Sequence, residues 1–529
     1  MPNFEGKSEL EIKADNLPGF LDNETLRKWK IIGEKETLKD AFARVAKSVA
    51  SFDSDYDDGD AVAFESNIME QLLSKKIIPS TPILMNAGRF DNVPLSACVV
   101  PPVELKDDWS KIKAKVDELH FQGMGTGFNF DETDNPIYMI KFLNQVGIDG
   151  QKDERQLRPV GNIGTMSLDN PKIIEFINLK DDAEIRNEDW VFNLSVSLKD
   201  EQIDRILNNE DIALADSRRI SANEILNNLA KAIWLSGDPG LVFMDRVKAD
   251  NTVPGAGESI SVAPCGEIGL ARGESCQFSY INLGKVVNNG KVNYKELEDA
   301  VKFSIHFLDN VVDYNIKNNN NPESVSMLRN KRKIGLGVCG FDDLLRGLSL
   351  RYGSEESIKL AGELLSFINY HSKRASVELA KQRGAFEMFN ESQFVGGNSH
   401  LMDRLASEQT EAVSAHEWLD LIKEIKEKGI RHCATISLPP TGRSSQVVGA
   451  SQSIEPNFKD FLKVTSSEQI SMIAAIQKFV DESISKTINV KNETTIDEIK
   501  QILLDSMAHR LKGITIYRDG SRSNQPEKM

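Results

Sequence analysis

The sequence predicts an α/β fold with a substantially parallel sheet or barrel behind a helical N-terminal segment. Strand-like runs alternate with helical patterns over most of the 529 residues, the alternation that parallel sheets require. No linker-like shift in composition divides the chain after residue 75, and no internal repeat is visible. The expected partition is a helical segment over 1–75, one α/β domain over 76–523 and a polar tail over 524–529.

Composition narrows the function classes. A net charge of −16 argues against a nonspecific nucleic-acid coat, which needs clustered Lys and Arg. A local basic pocket for a small phosphorylated ligand stays open. No apolar run reaches the roughly 18 residues of a membrane span, and residues 1–16 lack the apolar core of a signal peptide. The five cysteines (98, 265, 276, 339 and 433) are too scattered for a disulfide scaffold and form no CxxC zinc pair. The expectation is a reduced, cytoplasmic protein with no metal held by side chains, in which any disulfide would be transient and catalytic.

Taken in order, residues 1–20 read as a loose lead-in and 25–49 as helical. The acidic run Asp53, Asp55, Asp57, Asp58, Asp60 fails as a calcium loop, because Asp58 and Phe64 stand where Gly and Glu are needed. It reads as a solvated linker before a helix over about 62–75. Residues 95–100 read as a short buried strand ended by Pro101. Gly123-Met124-Gly125-Thr126-Gly127-Phe128 lacks the last glycine of a dinucleotide loop and follows a helical stretch, so it reads as backbone closely approached by a ligand or a neighbouring strand. The polar stretch 147–165, with Arg155 and Arg158, reads as a mobile loop. Strands are expected at 190–197, 241–243, 277–283, 333–338, 434–438 and 514–517. Between them lie a helix opened by Ser221 and Glu224 and another opened by Ser414 and Glu417, both as capping boxes. A long helix over about 294–314 reads either as core or as the face of a homodimer. Ile470, Ile473, Ala474, Val480 and Ile484 mark a further amphipathic helix, and the last runs over about 496–511.

The chemistry concentrates at Ala263-Pro264-Cys265-Gly266-Glu267, followed eleven positions after Cys265 by Cys276. A thiol and a carboxylate two residues apart in a turn-forming run are held out on a loop, and Cys98 lies in another distinctive stretch. Pro439-Pro440-Thr441-Gly442-Arg443-Ser444-Ser445 combines hydroxyls, amide donors and a guanidinium. It suits an oxyanion or phosphate, and equally an ordinary Ser/Thr turn.

Several stretches in this order resemble the catalytic subunit of ribonucleotide reductase. They are Pro79-Ser80-Thr81-Pro82 with Asn86-Ala87-Gly88, Leu95-Ser96-Ala97-Cys98, Gly125-Thr126-Gly127-Phe128-Asn129 and Pro264-Cys265-Gly266-Glu267. Cys276 with Ile281-Asn282-Leu283, Arg332-Lys333-Ile334-Gly335-Leu336-Gly337-Val338, and Pro440-Thr441-Gly442 with Ile454-Glu455-Pro456 continue the series. The closing Lys512-Gly513-Ile514 and Tyr517-Arg518-Asp519-Gly520-Ser521 look most like the adenosylcobalamin-dependent, class II branch in a compact form. The match spans about residues 25–523.

The resemblance implies a ten-stranded α/β barrel with Cys265 on a finger loop through its middle. It implies Cys265 as the thiyl radical that abstracts the ribose 3′ hydrogen, Glu267 as general base on the 3′ hydroxyl, and Cys98 with Cys276 as the reducing pair that ends as a disulfide. Thr81, Ala97, Thr441, Gly442, Arg443, Ser444 and Ser445 match substrate and phosphate positions. The implied cofactor is adenosylcobalamin, the substrate a ribonucleoside di- or triphosphate, and the reductant a thioredoxin-like protein or another thiol carrier. Three departures stand out. Ala263 replaces an asparagine that holds substrate hydroxyls, Arg443 replaces a small residue, and no cysteine follows Cys433 to serve as a tail pair. No ATP-binding cone precedes residue 25, and the spans 130–136 and 456–469 are short where relatives carry longer loops, so altered effector control is expected. Two alternatives remain: a class I type subunit fed by a separate radical-generating partner, against which Tyr517 stands alone after Ile516, and an inactive nucleotide-binding paralogue.

Overall fold

The computed structural model describes residues 16–57, 59–181, 190–397, 399–457 and 463–521. The expected polar tail 524–529, most of the lead-in and Asp58 lie outside them. The N-terminal segment is helical as expected: α1 (Asn23–Lys28), α2 (Leu38–Ala50) and α3 (Ala61–Leu73). Thr37 opens α2 by a full capping box with Asp40. The helix buries Leu38, Phe42, Val45 and Val49 along one face.

Beyond β1 (Ile77–Pro79) the chain alternates strand and helix. Strands β2 (Cys98–Val99), β3 (Gly125–Asn129), β4 (Asn162–Ser167), β5 (Phe192–Leu198) and β6 (Gly240–Phe243) pair in parallel, each with the next in space. Helices such as α4 (Trp109–Phe121), α5 (Pro136–Lys152) and α6 (Ala222–Ser236) make the crossovers. A short hairpin, β7 (Ser261–Val262) and β8 (Gly269–Leu270), carries the Cys265 loop. Then come β9 (Phe278–Asn282), parallel to β10 (Gly335–Cys339), and the C-terminal β11 (Thr487–Val490), parallel to β12 (Gly513–Arg518). β12 lies antiparallel to β6, making a sheet of seven in the order β11-β12-β6-β5-β4-β3-β2, while β1, β9 and β10 form a sheet of three. Strands β9 and β10 are buried on both faces, as parallel strands covered by helices must be.

Single bridges span the gaps between the two sheets. Val99 meets Ser275 antiparallel, Leu336 meets Ile436 parallel, and Leu438 meets Ile484 parallel. At the first gap Cys276 N–H donates to Cys98 O (3.1 Å) and Ala97 N–H to Cys276 O (3.2 Å). The expected strand 434–438 thus exists only as two bridged residues, and the expected strand 95–100 shrinks to β2.

Four other expectations change. The stretch 147–165 is not a mobile loop: α5 runs through Lys152 and β4 starts at Asn162. Residues 442–448 of the hydroxyl-rich loop form a short helix, Gly442–Val448. The amphipathic helix near 470 covers Ser466–Gln477, so Val480 and Ile484 are buried beyond its end. Asp53 is no solvated linker residue, because it is buried and bound to His306, Asn310 and Arg383. The long helix α7 (Tyr294–Asn318) resolves toward core: from Phe303 to Tyr314 nearly every residue is buried, leaving no free dimer face there.

Candidate active site

The loop from Ala263 to Ile268 closes the β7–β8 hairpin, with Ala263 N–H on Ile268 O (2.9 Å) and Gly266 N–H on Ala263 O (2.7 Å). Gly266 sits at φ +76, in the left-handed region that glycine adopts without penalty. A Cβ there would meet no heavy atom within 4 Å, so the space beside Cys265 is open. On the other side the hairpin is pressed against β3: a Cβ on Gly127 would lie 2.2 Å from Val262 O, and one on Gly125 3.1 Å from Pro264 Cγ. The glycine-dense run is therefore backbone approached by a neighbouring strand, as its composition predicts. Asn193 of β5 donates to Pro264 O (3.2 Å). From the opposite wall Ser437 Oγ (2.8 Å) and Ser483 N–H (2.9 Å) donate to Glu267 O. The loop is held on one side from the seven-stranded sheet and on the other from the bridged segments at 436–438 and 484.

Three thiols and one acid meet at this loop. The Cys98 and Cys276 side chains hydrogen-bond to one another, and that contact, with burial, raises the Cys98 thiol well above its ordinary range. Glu267 and Cys265 both lie within electrostatic reach of Cys98. Cys265 is exposed, opening onto a cavity of about 960 Å³, while the protein packed around the loop pushes its thiol up as well. Glu267 is buried with Oε2 lacking any hydrogen-bond partner. Burial pushes its carboxyl up to about 7, against the pull of the backbone amides of Glu267 and Cys265. All five cysteines are free thiols, and Cys339 and Cys433 are buried away from the cavity lining.

The other expected site residues divide. Thr81 Oγ1 lies 3.3 Å from Ser444 Oγ, so these two hydroxyls converge. Thr441 Oγ1 is occupied by Ser453 N–H (2.9 Å) and Ser445 Oγ donates to Gly442 O (2.9 Å), so both stiffen the turn. Arg443 lines the Cys265 cavity with its guanidinium 5.2 Å over the Trp29 ring. Ala97 acts through its backbone, its carbonyl accepting from Gly125 N–H (3.0 Å) and Arg158 Nη2 (3.0 Å).

Residues that sequence reasoning missed complete the chamber. Arg158 reaches in beside the thiols. Tyr280, in the strand that follows Cys276 and four residues beyond it, is buried within electrostatic reach of Glu267, Cys276 and Cys98. Trp29 brings the helical segment to the cavity mouth, and Asn193, Ser195, Gly237, Gly240, Thr515 and Tyr517 form the far wall. Its place in the expected strand just after Cys276 could have flagged Tyr280; nothing local marks Trp29 or Arg158.

Comparison with known proteins follows the same geometry. Residues 96–463 and 457–517 match the family model described as ribonucleotide reductase, barrel domain, and residues 26–91 match ribonucleotide reductase, all-alpha domain. The chain is 28% identical over 541 residues to the vitamin B12-dependent ribonucleoside-diphosphate reductase of Mycobacterium tuberculosis (strain CDC 1551 / Oshkosh), covering 93% of this chain and 77% of that one. It is 29% identical over 545 residues to the protein of that name from Thermoplasma acidophilum, covering 87% and 66%. The ribonucleoside-diphosphate reductase subunit alpha of Chlamydia trachomatis serovar D matches at 25% over 297 residues, 54% of this chain and 27% of that one. With the barrel-domain match running from just before Cys98 to Tyr517 and so enclosing every thiol gathered at the Cys265 loop, the chain belongs to the ribonucleotide reductase family.

Proposed function

We propose that this protein reduces ribonucleotides to 2′-deoxyribonucleotides by thiyl-radical chemistry at Cys265. The observation that carries the reading is the meeting of three free thiols and one unpaired carboxyl at a single loop. Cys265 and Cys98 are held up as thiols, unlike nucleophilic cysteines, whose thiols are lowered. An S–H group is what hydrogen-atom transfer needs. The Cys265 sulfur takes the 3′ hydrogen of the ribose, and Glu267 accepts the 3′ hydroxyl proton on its carboxylate. The 2′ hydroxyl leaves as water. Cys98 and Cys276 supply two electrons and two hydrogens and close as a disulfide, after which Cys265 returns its hydrogen to C3′. Substrate and cofactor filling the cavity over Cys265 would exclude water and so protect the radical from side reactions. Thr81, Ser444 and Arg443 hold the phosphates of the nucleoside di- or triphosphate, while Ala97, Thr441, Gly442 and Ser445 shape the turns beneath them.

The lining of the cavity suits a large cofactor that packs on backbone. Gly266 leaves open space beside Cys265, and about 960 Å³ lies against a wall of Gly237, Gly240 and Gly513, where backbone is the surface. Asn193, Ser195, Thr515 and Tyr517 would hold it. Bound there, adenosylcobalamin would supply the initiating radical by homolysis of its cobalt–carbon bond, and the similarity of this chain to vitamin B12-dependent reductases supports that choice.

We also infer that the two sheets close into a ten-strand barrel around the Cys265 loop as a finger. The antiparallel seams at β6–β12 and Val99–Ser275 and the parallel bridges at Ile436 and Leu438 support this. The boundaries 1–75 and 76–523, a homodimer, a thioredoxin-like reductant and a reduced cytoplasmic setting belong to the same proposal. Free cysteines throughout support the last. Among the described residues no helix is long and apolar enough to cross a membrane.

Purified protein with adenosylcobalamin, dithiothreitol and a ribonucleotide should yield deoxyribonucleotide, and Cys265→Ser should abolish it with an unchanged circular-dichroism spectrum. Absence of product from the wild type with every ribonucleoside di- and triphosphate would overturn the reading.

A further inference from the structure

Arg158 is a guanidinium with no counter-ion among the described residues, in a chamber of thiols. Its Nη2 donates to Ala97 O (3.0 Å), one residue before Cys98, and its Nε is buried with no partner. Among the described residues no carboxylate pairs with it, and its stem packs on Gly123, where a Cβ would come within 3.1 Å of Arg158 Cγ. The groups that face it are the thiols of Cys98 and Cys276, the Tyr280 phenol, Cys265 on its loop and, across the cavity, the guanidinium of Arg443. Buried cations normally pair with carboxylates. This one faces sulfur.

We propose that Arg158 stabilises the thiolate that leaves when an external dithiol opens the Cys98–Cys276 disulfide, and so sets the rate at which the active site is recharged. The inference rests on the proposed function, because only there do Cys98 and Cys276 become a disulfide. The step balances simply. One thiolate of the reductant attacks one sulfur of the pair, the S–S bond breaks, and its electron pair leaves on the other sulfur as a thiolate. The reductant's second thiol then displaces the first mixed bond, and both enzyme sulfurs take up protons. Exchange is faster when the leaving thiolate is better stabilised, and a chamber that raises thiols slows it unless a positive charge stands near. Arg158 opposes that rise at both Cys98 and Cys265. A neutral S–H gains little from a nearby charge, so Arg158 acts on the rate and leaves the equilibrium nearly where it was.

The test needs no turnover. Wild type, Arg158→Met, Arg158→Gln and Arg158→Lys are oxidised with excess oxidised dithiothreitol, and the Cys98–Cys276 disulfide is confirmed by peptide mass. Reduction by dithiothreitol is then followed by alkylation and mass spectrometry at pH 8. Met and Gln should slow reduction roughly threefold or more, Lys should restore most of it, and the equilibrium in mixed dithiothreitol buffers should move less than about twofold. The Gln variant keeps a donor for Ala97 O without the charge. Wild-type speed in Gln beside slow reduction in Met would assign Arg158 a structural role and overturn the proposal, as would equal rates in all four proteins. A wild type that shows this Arg158 dependence yet makes no deoxynucleotide would sink the proposed function and leave the exchange step standing.

Discussion

Replacing Glu267 by Gln should make the protein more stable while destroying its activity, and the gain should depend on pH in a defined direction. Burial raises this carboxyl from 4.5 to about 7. The folded protein therefore binds the Glu267 proton more tightly than the unfolded chain does. Stability from that proton is complete below about pH 4.5 and is lost as pH rises through 7. A shift of about 2.5 units corresponds to roughly 3 kcal/mol. Gln has nearly the same shape, can accept from the same backbone amides and never ionises. Urea unfolding of both proteins at pH 5 and pH 8 reads the effect. The difference in unfolding free energy, variant minus wild type, should grow by about 3 kcal/mol between the two pH values, with unchanged m-values. A constant difference would refute the claim that the carboxyl is held back from ionising by burial. The same shift predicts a wild-type turnover rate that rises through neutral pH as the carboxylate form becomes populated, a limb the Gln variant lacks.

Gly127→Ala should damage the site from the strand behind the Cys265 hairpin. Its Cβ would stand 2.2 Å from Val262 O, a backbone atom that cannot swing away. The hairpin must shift, at a cost of about 1–3 kcal/mol in urea unfolding, and turnover should fall far more than stability does. Asp309→Asn tests the cluster that joins the helical segment to the α/β domain: Asp309 takes Arg332, Arg383, Arg431 and His432, while Arg383 also holds Asp53. Removing its charge strands buried guanidiniums and should cost about 3–5 kcal/mol, measured by chemical denaturation.

What the sequence disclosed divides along the range of the interaction concerned. The box at Ser414 and Glu417 was legible because donor and acceptor lie within four residues of each other. The CGE run and its companion thiols were legible because their residue types are rare and chemically committed. Helix α5 was hidden by its own packing surface. Gly147 faces Val191, where a Cβ would approach to 2.5 Å, and Gly150 faces Gln156, so the buried side of the helix reads as turn composition. Asp53 read as solvated because its partners, His306 and Arg383, stand more than 250 residues away. Strand 434–438 lost its ladder for a related reason, since its neighbours meet it at single bridges and its side chains serve the loop: Ser437 holds Glu267 O, and Thr435 binds Asp481 and Lys373.

The site's chemistry imposes opposite demands on the same sulfur atoms, and the fold answers them with different neighbours. Hydrogen-atom transfer requires thiols, so Cys265 and Cys98 are surrounded by burial and by Glu267, all of which disfavour the anion. In the proposed exchange, regeneration requires a thiolate in passing, and among the described residues Arg158 is the cation that lowers both the Cys98 and Cys265 thiols. A carboxylate partner on Arg158 would cancel its charge and add a second negative neighbour to thiols already disfavoured as anions. The lattice of buried ion pairs elsewhere shows that this chain pairs its cations where it can: Lys333 lies 3.2 Å from Glu274 and 3.0 Å from Glu482 at the base of the hairpin, and Lys331 lies 3.1 Å from Glu274. Those pairs fix where the loop stands. Inside the chamber pairing stops, for Glu267 keeps a bare oxygen and Arg158 a bare nitrogen. An acid and a guanidinium left without each other beside the same thiols are costly to folding, which is the pattern expected of groups kept for the proposed reaction.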